Sequence, residues 1–108
     1  MDSTQLLKGV LDIAVLATLQ LGDSYGYAIV TQLREAGHER VGEASVYGTL
    51  RRLADDGAVS SYSAPSASGP NRKYYSLTPH GTEQLHDGTK TWRHFAETMH
   101  YLLQENQR

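Results

Sequence analysis

The chain has 108 residues, 39% hydrophobic and 20% charged, with no cysteine and a formal net charge of −2. That length and balance fit one soluble globular domain with a modest core and exclude global disorder. The missing cysteines exclude a disulfide framework, a thiolate metal site and a cysteine nucleophile. The apolar run over residues 10–21 is interrupted by Asp12 and Gln20 and is too short to span a bilayer. It also lacks the basic flank and cleavage site of a signal peptide, so a cytoplasmic protein with no membrane partner is expected.

In chain order, residues 4–21 read as a first helix with Ser3 or Thr4 as N-cap. Leu7, Val10, Leu11, Ala14 and Thr18 share one face, yet Leu6, Ile13, Val15, Leu16, Ala17 and Leu19 fill most of the rest. A helix apolar nearly all round is buried on more than one side, so further structure must cover it. Gly22-Asp23-Ser24-Tyr25-Gly26 matches G-x-S-x-G, but a nucleophile elbow needs a strand before it and a large α/β sheet around it. With neither here, no enzyme is expected, and Asp23 or Ser24 reads as the N-cap of a second helix over 25–35 that buries Ala28, Ile29 and Leu33. Tyr25 and Tyr27 at its start can offer hydroxyls to phosphates. Gly37 ends it, and residues 38–41 turn into a third helix.

At roughly 100° per residue, that third helix places Val46, Tyr47, Leu50, Leu53 and Ala54 on one apolar arc. Ser45, Gly48 and Arg52 lie opposite, with Thr49 at the flank. A small outer face containing a glycine suits close approach of something large, because glycine costs about 1 kcal/mol against alanine in a helix. Gly57 ends the helix. Residues 59–62 and 73–77 read as strands joined by a long tip containing Pro65, Gly69, Pro70 and Asn71, with Arg72 and Lys73 at its edge. Alternation turns Tyr75 toward the core with Leu77 and leaves Tyr74 outward.

Thr78 as N-cap and Pro79 at the first helical position open a last helix. On it Leu85, Gly88, Thr89, Trp92, Phe95, Ala96, Met99, Leu102 and Leu103 form one stripe. Nothing later in the chain covers that stripe, so it is expected to meet a second copy against Leu7 and Leu11 of the first helix, or to wall a pocket for a flat hydrophobic compound. His86 and His100 share a face but stand about 21 Å apart, so no metal site is expected, and no residue pattern calls for a cofactor.

The fold expected is mainly α with a small β-hairpin: a winged helix-turn-helix over residues 1–78 and a C-terminal dimerisation helix over 79–108, forming one compact unit. SYGYAI at 24–29, SVYGTLRRLADDGAV at 45–59 and RKYYSLTPHG at 72–81 resemble the short form of the PadR family of bacterial transcriptional regulators. The resemblance implies a homodimeric repressor of a pseudo-palindromic operator in double-stranded DNA. It also implies dimerisation through the first and last helices and response to a small aromatic or hydrophobic ligand. Many members carry a proline near the recognition-helix tyrosine, where this chain has Gly42, Glu43 and Gly48.

Ser45, Thr49 and Arg52 are the expected base-edge contacts, Arg52 as a bidentate partner of guanine. Gly48 is the point of close approach. Arg51, Arg72 and Lys73, with Tyr25, Tyr27, Tyr47 and Tyr74, are the candidate backbone contacts. The competing reading is a winged-helix protein–protein adaptor, favoured by the acidic net charge.

Overall fold

The structure is a computed structural model that describes residues 2–105. Its elements run α1 (Thr4–Lys8), α2 (Leu11–Gln20), β1 (Ser24–Tyr25), α3 (Gly26–Glu35), α4 (Glu43–Asp55), β2 (Val59–Ser66), β3 (Gly69–Leu77) and α5 (Pro79–Glu105). The mainly helical architecture with a small antiparallel sheet is the one expected. Residues 106–108 of the expected last helix lie outside the described residues.

The single first helix expected over 4–21 is two helices. The amide of Val10 bonds back to Leu7 O in a tightened turn, and Val10 leaves helical geometry at φ −126°, ψ 10°. Ser3 occupies the N-cap position, as expected, but makes no side-chain cap bond; instead Asp2 Oδ1 accepts both the Thr4 amide, at 2.9 Å, and the Thr4 hydroxyl, at 2.7 Å. These bonds, the backbone one foremost, hold the Asp2 carboxyl below its usual range. The break lets α1 bury Leu7 while α2 buries Leu11, Val15, Leu16 and Leu19. The cover that an all-round apolar helix requires comes from α3, α4, α5 and β3, all of which pack on α2.

α3 buries Ile29, Val30 and Leu33, with Ala28 only half-buried. It starts one residue later than expected, with Tyr25 rather than Asp23 or Ser24 in the capping position and no side-chain cap bond. Gly37 (φ 124°) and Gly57 (φ 79°) close α3 and α4 in the same way. His38 N bonds to Leu33 O and Ala58 N to Leu53 O, the six-residue bond that needs a left-handed residue before it. Across the turn between α3 and α4, Arg34 Nε and Nη2 both donate to Val41 O, at 3.2 and 3.0 Å, over the buried Val41 side chain. The turn is thereby pinned at a backbone atom.

The sheet has the order β1-β3-β2, all antiparallel. The hairpin strands are longer than expected, and Pro65, Gly69, Pro70 and Asn71, read as loop tip, lie within them. Pro65 sits at the register shift between Ala64 and Ser66, where its missing N–H breaks no ladder bond. Ser24 and Tyr25, expected to cap and open the second helix, form β1 instead: Ser24 pairs with Tyr75 and Tyr25 with Tyr74. Tyr75 is buried, as alternation requires.

α5 begins as the sequence indicates. Thr78 Oγ1 accepts the Gly81 amide at 3.1 Å and donates to the Gly57 and Ala58 carbonyls, at 2.6 and 3.0 Å. Gly81 lies so close to Ala58 that an added Cβ would overlap the Ala58 carbonyl, and Gly88 leaves equivalent space for Ile13. Leu85 is buried between them, so the first half of α5 belongs to the core. Among the described residues no helix is long and apolar enough to cross a membrane.

Gly81→Ala is therefore expected to destabilise the fold by about 1–3 kcal/mol, because the clashing atom is backbone and cannot rotate away. Urea unfolding followed by circular dichroism measures it.

Candidate nucleic-acid interface

α4 buries Val46, Thr49, Leu50 and Leu53. This fixes the centre of its exposed arc at Ala44, Gly48, Arg51 and Asp55, all exposed, with Tyr47 on one border and Ser45 and Arg52 on the other. The expected arc is thus rotated by about one position. Thr49, expected at the outer flank as a base-edge contact, is 5% exposed and turned inward. Tyr47, expected on the apolar arc, is 44% exposed. The cause is Gly26: the Tyr47 ring lies where a Gly26 Cβ would stand, so the ring packs along the start of α3 instead of entering the core. Around Gly48 the reverse holds, since an added Cβ would meet no atom of the chain within 4 Å. No internal packing requires that glycine.

Arg52, expected to point its fork at a base, is engaged within the chain. Its Nη1 and Nη2 donate to Asp12 Oδ2 and Oδ1 of α2, at 2.8 and 2.7 Å. Arg51 is the cation left on the exposed arc.

Beside α4, the start of α3 and the wing strand β3 form a cleft of about 410 Å³ lined by Tyr25, Gly26, Tyr27, Tyr47, Arg72, Lys73 and Tyr75. Register builds it: Tyr25, Tyr74 and Tyr62 are paired neighbours across the three strands. Tyr74 meets Tyr25 edge-on at 5.5 Å and stacks on Tyr62 at 5.8 Å. The Arg72 guanidinium lies 4.4 Å from the centre of the Tyr25 ring, and Lys73 Nζ lies 5.7 Å from that of Tyr75. Tyr62 Oη donates to Asp23 Oδ2 at 2.7 Å, tying the wing to the loop before β1. That bond raises the Tyr62 phenol above its ordinary pKa. Asp23 thus serves the wing rather than capping α3, and Ser24 is buried in an edge strand, not exposed on an elbow.

A second concavity is apolar. Leu6, Gly9, Val10 and Ile13 face Trp92, Phe95, Ala96, Met99 and Leu103 across an open trough of about 670 Å³, with Gln5, Thr91 and His100 at its edges. Trp92 is 46%, Phe95 52% and Leu103 54% exposed. Leu7 and Leu11, expected on this surface, are buried in the core, and Leu102, although exposed, does not line the trough. The residues missed were Leu6, Val10 and Ile13. The break at Gly9–Val10 turns α1 relative to α2, and a continuous helical wheel does not anticipate it.

Comparison with known proteins agrees with the fold. The model of the transcriptional regulator PadR-like family matches residues 15–87. A PadR-like transcriptional regulator from Bacillus cereus is similar in structure (TM-score 0.85, 36% identity), with 94% of this chain and 98% of that one covered. The negative transcriptional regulator PadR of Bacillus subtilis is 29% identical over 80 residues, 72% of this chain and 44% of that protein. The structure of Bacillus subtilis PadR in complex with operator DNA matches with TM-score 0.65 and 29% identity, over 72% of this chain and 45% of that one. The chain belongs to the PadR-like family of transcriptional regulators.

Proposed function

We propose that this regulator is a cytoplasmic homodimeric repressor that binds a pseudo-palindromic operator and is released by a small aromatic or hydrophobic compound. In this reading residues 1–78 form the DNA-binding unit and residues 79–108 the dimerisation helix. The observation that carries it is the open space at Gly48. A solvent-facing glycine in mid-helix costs about 1 kcal/mol against alanine, and nothing inside this chain explains that cost. A DNA backbone or base edge approaching α4 does. Ser45 and Arg51 flank that point for base or phosphate contact. Tyr25, Tyr27, Tyr47, Tyr74, Arg72 and Lys73 supply the phosphate-binding margin, which positions without specifying. That the Bacillus subtilis PadR structure contains operator DNA supports this reading.

The apolar trough supports the dimer. Its α5 wall repeats Trp92, Phe95 or Ala96, Met99 and Leu103 at three- and four-residue steps, the spacing of a helix-packing seam. A compound released into that seam is the proposed effector, Trp92 being the flat wall nearest Phe95, with ring centres 6.2 Å apart.

The deciding experiment is binding of the purified protein to DNA upstream of its own gene at two salt concentrations. Three cations from each of two copies, Arg51, Arg72 and Lys73, are expected to cost about a thousandfold in affinity between 50 and 200 mM salt. A weak salt response with no preference over random DNA would favour the adaptor reading instead. Gly48→Ala is expected to stabilise the free protein by about 0.5–1 kcal/mol while weakening operator binding about tenfold, a split read by thermal unfolding and titration together. Phe95→Arg is expected to convert a dimer into a folded monomer in analytical ultracentrifugation, since the ring is half-exposed in the single chain.

A further inference from the structure

Two side chains that the proposed DNA contacts leave aside link α4 to α2. Arg52 presents both terminal nitrogens to both oxygens of Asp12, at 2.8 and 2.7 Å. The two side chains are 53% and 35% exposed, so water screens the pair and it adds little to stability. Val46, Leu50 and Leu53, all fully buried, hold α4 in place. Apolar contact, however, is non-directional, and these three side chains form a ridge along one line about which a helix can roll. A planar guanidinium matched to a planar carboxylate is directional and admits one arrangement. It sits at the border of the exposed arc, off the line of that ridge, so a roll of α4 carries it away from Asp12. At a helix radius of about 5 Å, a roll of about 10° displaces outer-face atoms by about 1 Å. That is twice the roughly 0.5 Å window within which an N–H···O bond keeps its strength.

We infer that Arg52 is a positioning residue: through Asp12 it sets the roll of α4 on α2, and it governs operator choice through Ser45, Gly48 and Arg51 without touching bases itself. This rests on the DNA-binding reading above. It also distinguishes two neighbouring arginines of identical chemistry, Arg51 as contact and Arg52 as brace.

The test is a cycle of Asp12→Asn, Arg52→Gln and the double variant, measured for upstream DNA against a scrambled duplex, and separately for thermal unfolding without DNA. Each single variant is expected to lose about three- to tenfold of the operator-over-scrambled ratio, and the double variant no more than either single. Affinity for the scrambled duplex should stay within about twofold for Asp12→Asn, because phosphate contacts do not depend on roll to the same degree. Arg52→Lys, which keeps the charge but loses the fork, should lose the ratio as Arg52→Gln does. If Asp12→Asn leaves the ratio unchanged while Arg52→Gln abolishes it, Arg52 reads a base directly and the inference is wrong. If the losses of the operator-over-scrambled ratio in the two single variants simply multiply in the double, the pair is uncoupled and the inference fails. Absence of discrimination by the wild-type protein would instead remove the DNA-binding reading, and this inference with it.

Discussion

The carbonyl of Ala58 is where the parts of this molecule are joined. It accepts the Thr78 amide at 3.1 Å and the Thr78 hydroxyl at 3.0 Å, and Gly81 approaches it too closely to tolerate a Cβ. The Ala58 amide, on the other side, closes α4 by bonding to Leu53 O. One residue therefore ends the helix proposed to face DNA, starts the wing and seats the long helix. Because Val59 pairs with Leu77 immediately afterwards, the register of the hairpin is set at its base rather than at its tip. A slip of one residue would turn Tyr75 out of the core and reverse the faces of all the wing tyrosines. The alignment of Tyr25, Tyr74 and Tyr62, and with it the seat of Arg72, follows from that junction.

The acidic net charge has a local resolution. Three carboxylates are engaged by groups of the same chain at its surface: Asp2 by Thr4 and Arg40, Asp12 by Arg52, and Asp23 by the Tyr62 hydroxyl. At neutral pH Asp2 remains ionised and Tyr62 remains protonated, each shifted further in that direction by its own bond, so both bonds persist. The cleft between α3, α4 and the wing meanwhile carries Arg72 and Lys73 with four tyrosines and no acid among its lining residues. Charge placement, not its sum, sets the local field.

Much of this was legible in the sequence because it is written in periodicity and punctuation. The spacing of Val46, Leu50 and Leu53 marks α4, glycines mark where α3 and α4 stop, and Thr78-Pro79 marks where α5 begins. The failures share a cause. The helix break at Val10, the inward turn of Thr49 and the outward turn of Tyr47 depend on which neighbour occupies the adjacent space, and a helical wheel holds no neighbours. Gly26 had a readable signal, being the small residue three positions before Ile29, the first large α3 side chain to enter the core, but only the fold shows that Tyr47 fills the space it leaves. Arg52 and Asp12 are separated by 40 positions, and no local rule pairs them.

The helix break also decides which surface remains for a partner. With α1 turned at Gly9–Val10, Leu7 and Leu11 go inward, and Leu6, Val10 and Ile13 form the outer ridge. Ile13 then serves two neighbours, since it fills the space left by Gly88 and continues as the trough wall. Asp12, the residue before it, holds Arg52. Adjacent residues on a helix diverge by about 100°, so one turn of α2 faces both the trough and α4. An apolar occupant wedged against Ile13 bears on the same rigid turn that Arg52 is bound to. Of the two attachments between that turn and α4, the fork of Arg52 is the less tolerant of displacement, because a matched guanidinium–carboxylate pair is directional and the apolar contacts of Val46, Leu50 and Leu53 are not.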